Sequence, residues 1–322
     1  MGNKLEVLGH GASIGCTGHR ASGHTGRAGN HAPGRLNDVM TFRLAFAGNA
    51  FKRYSLDETI DAVADAGYQG LEILLDVPHA FPPHVKDSDI RRWREKLATR
   101  NLAVSNCNAF MLYGIEGCHR PSWCEKDPDR RRLRVEHTRQ CLHLAAQLGA
   151  PTISTEPGGP LDPGVSRQQA ADWFEEGLRS LLPDAKQAGV RLCIEPEPGL
   201  LIETAAQYDE FMARFSGDAE AQRWLGLNFD VGHFYCVGED PAANAARFAG
   251  RIHHIQIEDI AADRVHFHLV PGDGAIDFDA FFKALRGARY DDGWITVELY
   301  TFEHRAVEVA RRARAFLQPF VQ

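Results

Sequence analysis

The chain has 322 residues, 44% of them hydrophobic and 25% charged, and a formal net charge of -7. That balance suits one large globular domain, offers no basic surface for nucleic acid, and contains no apolar run approaching the roughly 18 residues of a membrane span. Seven cysteines stand without CxxC pairing. They predict free thiols in a reducing compartment, and so a cytoplasmic enzyme.

Residues 1–40 are rich in Gly, Ser, Thr, Asn and His and nearly free of aromatics. Such a segment cannot bury enough surface to offset its ordering entropy. Its histidines (His10, His19, His24 and His31) are irregularly spaced, which suits a disordered or non-native extension better than a metal tract. The start also lacks the apolar core of a secretory signal. The folded domain is expected to span residues 41–322.

From Thr41 the chain alternates between two patterns. Strand-like runs are expected at Phe42–Ala47, Gly70–Leu75, Ala103–Cys107, Thr152–Thr155, Arg191–Glu195, Gly226–Asp230, Ile252–Ile257 and Trp294–Glu298. Helix-like segments separate them. Ser55 and Glu58 have capping-box spacing for a helix over Asp57–Ala66. Another is expected over Asp89–Thr99. Asp127-Pro128 opens a long helix to Leu148, Ser166 one to Ala188, Thr204 one to Phe215, and Asp240-Pro241 another. Asp279–Arg286 and Glu303–Leu317 complete the set. Gly67, Gly149 and Gly189 stand where C-terminal caps belong.

Eight β-then-α units over about 280 residues predict an α/β protein, a single-domain (β/α)₈ TIM barrel. The rival, a doubly wound open sheet, needs a glycine-rich phosphate loop after its first strand. Ala47-Gly48-Asn49-Ala50-Phe51 is not one.

In such a barrel the site lies at the carboxyl ends of the strands. Four late runs end in metal-binding residue types: Glu195, Asp230, Gln256 and Glu298. Alternation along a strand sets each opposite the packed face. Three carboxylates and an amide meeting at one mouth are hard to keep without a cation between them. Oxygen ligands favour Mn, Mg or Co, and Zn becomes possible if a histidine joins, with His233, His254, His266 and His268 as candidates.

From Thr41 onward the chain resembles the sugar phosphate isomerase/epimerase family, with its xylose-isomerase-like barrel. Cys193-Ile194-Glu195-Pro196 matches the family's Glu-Pro, Asp230-Val231-Gly232-His233 its Asp-x-x-His, and Val297-Glu298 its last ligand. Pro271-Gly272-Asp273-Gly274-Ala275-Ile276-Asp277-Phe278 matches its Pro-Gly-x-Gly stretch. The resemblance implies Glu195, Asp230, Gln256 and Glu298 as metal ligands. Gln256 stands where the family commonly has a histidine. It also implies Glu195 and Glu298 as the catalytic pair and His233 as a substrate contact. Glu156, Asn108, His254, His268 and Glu197 join the expected substrate-binding set.

The implied activity is metal-dependent isomerisation or epimerisation of a keto-sugar, inosose or polyol by proton removal beside a carbonyl. Elimination from an inosose or a 3-oxo-glycoside shares that first step. Arg251 and Arg264 are the basic residues expected nearest the strand ends, too few for a phosphorylated substrate. Phe46, Phe51, Phe110, Tyr113, Phe234, Tyr235, Tyr300 and Phe302 suit a wall over a sugar ring, a lid, or contacts between copies in a homo-oligomer. An endonuclease IV-like phosphodiesterase would need a basic face, and a non-enzymatic sugar carrier would need no metal.

Overall fold

The computed structural model describes residues 41–288, 290 and 293–321. The expectation for residues 1–40 lies outside them. Eight parallel strands close into a barrel in chain order: β1 Arg43–Ala47, β2 Gly70–Leu74, β3 Ala103–Asn108, β4 Thr152–Thr155, β5 Arg191–Ile194, β6 Leu225–Asp230, β7 Ile252–Ile257 and β8 Trp294–Val297. Closure is made by β1 on β8, with Leu44 opposite Ile295. The predicted strands all form, within a residue or two at their ends.

Among the described residues ten α-helices wrap the barrel: α1 Leu56–Asp65, α2 Asp87–Thr99, α3 Pro128–Leu148, α4 Arg167–Ala188, α5 Ala205–Ala213, α6 Ala219–Trp224, α7 Val231–Cys236, α8 Pro241–Arg247, α9 Phe278–Gly287 and α10 Ala306–Leu317. The predicted caps form. Ser55 and Glu58 make a capping box, Asp127 and Ser166 accept from backbone N–H groups, and Thr204 with Gln207 makes a second box. Two helices were not expected. α6 is capped by Asp218 and α7 by Asp230, and both are too short for a periodic signal. The last helix begins later than expected. It starts at Ala306 rather than Glu303, and a 3₁₀ turn, Tyr300–Phe302, precedes it, which Thr301 Oγ1 ties to His268 O at 2.7 Å.

The outward parity of the strands is apolar. Leu44, Phe46, Leu71, Ile73, Ile153, Leu192, Ile194, Leu227, Phe229, Ile255, Ile257, Ile295 and Val297 are all buried against the helices. This continuous layer supplies most of the hydrophobic stabilisation. The inward parity is polar, unlike the branched aliphatic filling usual for this architecture. His254 Nε2 on β7 reaches Glu72 Oε2 on β2 at 2.9 Å, and Thr296 Oγ1 on β8 donates to Ser105 Oγ on β3 at 3.3 Å. Neither pair joins neighbouring strands, so both bonds cross the barrel's interior. Buried polar groups there satisfy one another. Glu72 accepts from Asn106, Asn108 and Gln256 as well as bonding His254.

Candidate active site

The carboxyl ends of β5, β6 and β8 bring Glu195, Asp230 and Glu298 together. Each is under 5% exposed. Asp230 closes β6 and caps α7, so its Oδ1 accepts from His233 N at 2.8 Å. Its Oδ2 is also buried. Glu298 Oε1 accepts from Asn49 at 2.7 Å and from Gln256 at 2.8 Å. Glu195 Oε2 accepts from Asn228 at 2.7 Å.

Burial raises all three carboxyls; neighbouring carboxyls add to it at Glu195 and Glu298, whereas at Asp230 hydrogen bonds from Glu258 and from the N–H groups of His233 and Gly232 offset part of it. Glu195 and Glu298 are held well above the carboxylate range, and Asp230 is raised to about 7. A fourth carboxyl lies behind them. Glu258 is fully buried, and it too is raised by burial and then by Asp230, with which a protonated Glu258 shares a hydrogen bond. Its fit depends on Gly232, because a Cβ there would meet Glu258 Oε1 at 1.8 Å. The Gly in Asp230-Val231-Gly232-His233 is therefore a packing requirement of the site.

Imidazoles stand beside the carboxylates. Ligand atoms of Glu195, Asp230 and His233 lie within 4.8 Å of one another, as do those of Asp230, His268 and Glu298, and those of His233, His266 and His268. His233 Nδ1 donates to Pro196 O and His268 Nδ1 to Glu298 O, both at 3.0 Å. Those Nδ1 atoms are also the ones beside the carboxylates, His233 at 3.8 Å from Glu195 and 3.7 Å from Asp230 and His268 at 3.6 Å from Glu298, while His268 Nε2 lies 3.2 Å from His266 Nε2. Burial depresses the basicity of His233 and His268, to about 3 for His268. His268 is aimed by Asp259, which pairs with Leu269 in an antiparallel bridge and accepts from the N–H groups of Gly272, Gly274 and Ile276. A Cβ at Gly274 would meet Asp259 Oδ1 at 2.3 Å. The Pro-Gly-x-Gly stretch is thus a cradle that folds the loop back over the barrel mouth.

Three buried carboxyls and neutral nitrogen donors fit a divalent cation. Gln256 fits less simply as its fourth ligand. Its Nε2 donates to Glu298 and Glu72, and its Oε1 accepts from Asn228. Both ends of that amide are already engaged.

A cavity of about 190 Å³ opens onto the carboxylates. Asn108, Glu195, Glu197, His233 and Glu298 line it, with Phe110, Tyr113 and Tyr300 among its aromatic walls. Of the residues expected to bind substrate, His254 lies below, fully buried on Glu72. Glu156 is fully buried and lies 3.7 Å from the ring of His119, which does line the cavity. The expected basic residues lie elsewhere. Arg251 precedes β7 at the opposite end and pairs with Asp209, and Arg264 donates to Tyr235 O. Lys52 lines the rim instead. His119, His266 as a lining residue, and Lys52 all sit on loops, where no strand alternation marks them.

The sequence profile of the family described as xylose isomerase-like TIM barrel matches residues 60–320. The chain belongs to that family. It is 33% identical over 297 residues to an inosose dehydratase of Lacticaseibacillus casei, covering 83% of this chain and 90% of that one. Its fold matches that of an IolI protein with a bound zinc atom at a TM-score of 0.70 and 19% identity, over 87% of this chain and 98% of that one. It also matches the 3-keto-D-glucoside 4-epimerase of E. coli at a TM-score of 0.68 and 17% identity, over 86% and 99% of the two chains. Among the described residues, no helix is long and apolar enough to cross a membrane.

Proposed function

We propose that this protein is a metal-dependent dehydratase that removes water from an inosose or a closely related keto-polyol. The observation that carries the reading is that buried Asp230 has ligand atoms of Glu195 and His233 within 4.8 Å in one cluster and of His268 and Glu298 in another. That arrangement suits proton removal beside a carbonyl. The identity to an inosose dehydratase across most of both chains favours elimination over the epimerisation that the motifs alone suggest.

Glu195, Asp230 and Glu298 would hold the ion, with His233 or His268 completing the set. The imidazoles favour Mn, Co or Zn over Mg. A bound divalent ion supplies positive charge against the substrate's carbonyl oxygen. The chain's own residues do the rest. Glu195 and Glu298 both line the cavity, and each has one oxygen held by amide donors. The other oxygen of one of them takes the α-proton. Glu197 and His233, 3.2 Å apart, orient hydroxyls. Phe110 and Tyr300 exclude water from the ring faces. The acidic lining, relieved by Lys52 and His119, suits a neutral substrate.

Elemental mass spectrometry beside a dehydration assay tests this. Wild type is expected to carry about one divalent ion per chain and to convert inosose to an unsaturated ketone. Glu298→Gln is expected to lose both. Retention of full turnover after exhaustive chelation would sink the metal-dependent reading.

A further inference from the structure

The loop between β3 and α3 presents a second group of charged side chains, which the reading above does not use. Glu156 ends β4 with no solvent exposure, and neither of its oxygens has a hydrogen-bond partner. Arg134 of α3, equally buried, places Nη2 at 3.4 Å from Glu156 Oε1. Its remaining nitrogens fasten the loop: Nε donates to Pro121 O, and Nη1 to the carbonyls of Ala109 and Phe110. His119 lies between those anchors. Its Nδ1 is buried 3.7 Å from Glu156 Oε2, and the exposed third of the side chain lies on the cavity wall.

A buried carboxylate behind an imidazole fixes which nitrogen carries the inward proton and leaves the other for the substrate. The distance is longer than a hydrogen bond, as catalytic contacts often are before substrate closes the site. Cys118, and then Glu156, draw the imidazole's pKa up to about 10. Burial raises Glu156, an effect that Arg134 and His119 only partly offset. The other titratable groups around the ring are Glu197 and His266.

We infer that His119 is the acid that protonates the departing hydroxyl, and that Glu156 is its positioning residue. This rests on the dehydratase reading. The α-proton goes to a site carboxylate. The β-carbon–oxygen bond breaks with its electron pair on oxygen, and the proton of His119 joins that oxygen. Water leaves, and a carbon–carbon double bond remains beside the carbonyl.

The experiment uses metal-loaded protein and inosose in D₂O, following α-proton exchange by NMR and product by absorbance. His119→Gln is expected to slow dehydration by about 100-fold or more, while exchange stays within about tenfold of wild type. A substrate carrying β-fluoride, which leaves without protonation, is expected to recover most of the lost rate. Glu156→Gln is expected to move the basic limb of the dehydration pH profile downward, with Glu156→Asp in between. That shift is a readout that loop support alone would not produce. His119→Asn replaces His119→Gln if the latter is unfolded by circular dichroism. Exchange and dehydration falling together, no rescue by fluoride, or an unmoved basic limb would each overturn the assignment. Wild type that exchanges the α-proton without releasing water overturns the dehydratase reading itself, before any variant is compared.

Discussion

Glu156 lies against the guanidinium of Arg134 and the ring of His119, whereas Asp230 shares one ligand cluster with Glu195 and another with Glu298. Both groups sit at the same end of one barrel and both are buried. The first carries its own counter-charge in the chain. Among the described residues the second has no arginine or lysine among its ion-pair partners, but imidazoles and amides. A protein keeps an unbalanced charge buried only at a cost in stability. The contrast separates a group whose charge is balanced within the chain from one whose charge is not, as the proposed cation site requires.

The largest expected effect comes from removing the built-in counter-charge. Arg134→Met takes its guanidinium from buried Glu156 and strips three loop carbonyls of their donor. A loss of about 4–5 kcal/mol is expected in urea unfolding. Restoring neutrality with Glu156→Gln in the same chain should recover a large part of it. A double variant no more stable than Arg134→Met would break the pairing described here.

The unbalanced group predicts a pH dependence of defined sign. Asp230 is raised from 3.8 to about 7 in the folded state. Its contribution is therefore fully present below about pH 4 and is lost as pH rises through 7. For metal-free protein this amounts to about 3–4 kcal/mol across that window. A bound divalent ion stabilises the ionised carboxylates, so the gap in melting temperature between metal-loaded and chelated protein should widen from pH 4 to pH 8. A gap independent of pH would sharpen the comparison the other way, by showing that the ion does not engage these carboxyls.

Substitution within the unbalanced group should move stability in the direction opposite to Arg134→Met. Glu298→Gln removes one of the repelling carboxyls while keeping its shape. Chelated protein is then expected to gain about 1–2 kcal/mol at pH 8 as it loses activity. Thermal melts in chelator read the sign directly.

How visible the two groups are in the sequence follows from the same contrast. Glu195, Asp230 and Glu298 end or follow strands whose outward parity is Leu, Ile, Val or Phe, so alternation alone aims them inward. The eight-strand order and most helix caps were legible for the same local reason. His119 sits in an aperiodic loop whose shape is set by Arg134 and by Asp76, which accepts from the N–H of Gly114 at 2.8 Å. Those contacts are long-range, and no spacing rule reaches them. Glu258 is a second case. Its neighbour Gly232 reads as part of a motif, but the carboxyl that needs the missing Cβ belongs to β7's exit, 26 residues on. Helix α7 went unseen because six residues carry no helical period, although its cap, Asp230, was the residue already singled out.

The smallest expected effect concerns how the unbalanced group borrows neutral donors. Asn49 donates from the turn after β1 to Glu298 Oε1, and this bond lowers the pKa of that carboxyl against the burial that raises it. Asn49→Ala should therefore leave Glu298 harder to ionise. Stability in the metal-free protein is expected to fall by only about 1 kcal/mol or less, because at low pH the carboxyl simply keeps its proton. The clearer readout is the acidic limb of the activity profile, which should move upward as the base becomes harder to deprotonate, with little change on the basic side. Glu156 offers the control: Asn49 does not touch it, so the basic limb assigned to His119 should stay where it is. If Asn49→Ala moved both limbs, the two groups would be electrostatically one site, and the separation between a self-balanced cluster and an ion-seeking one would fail.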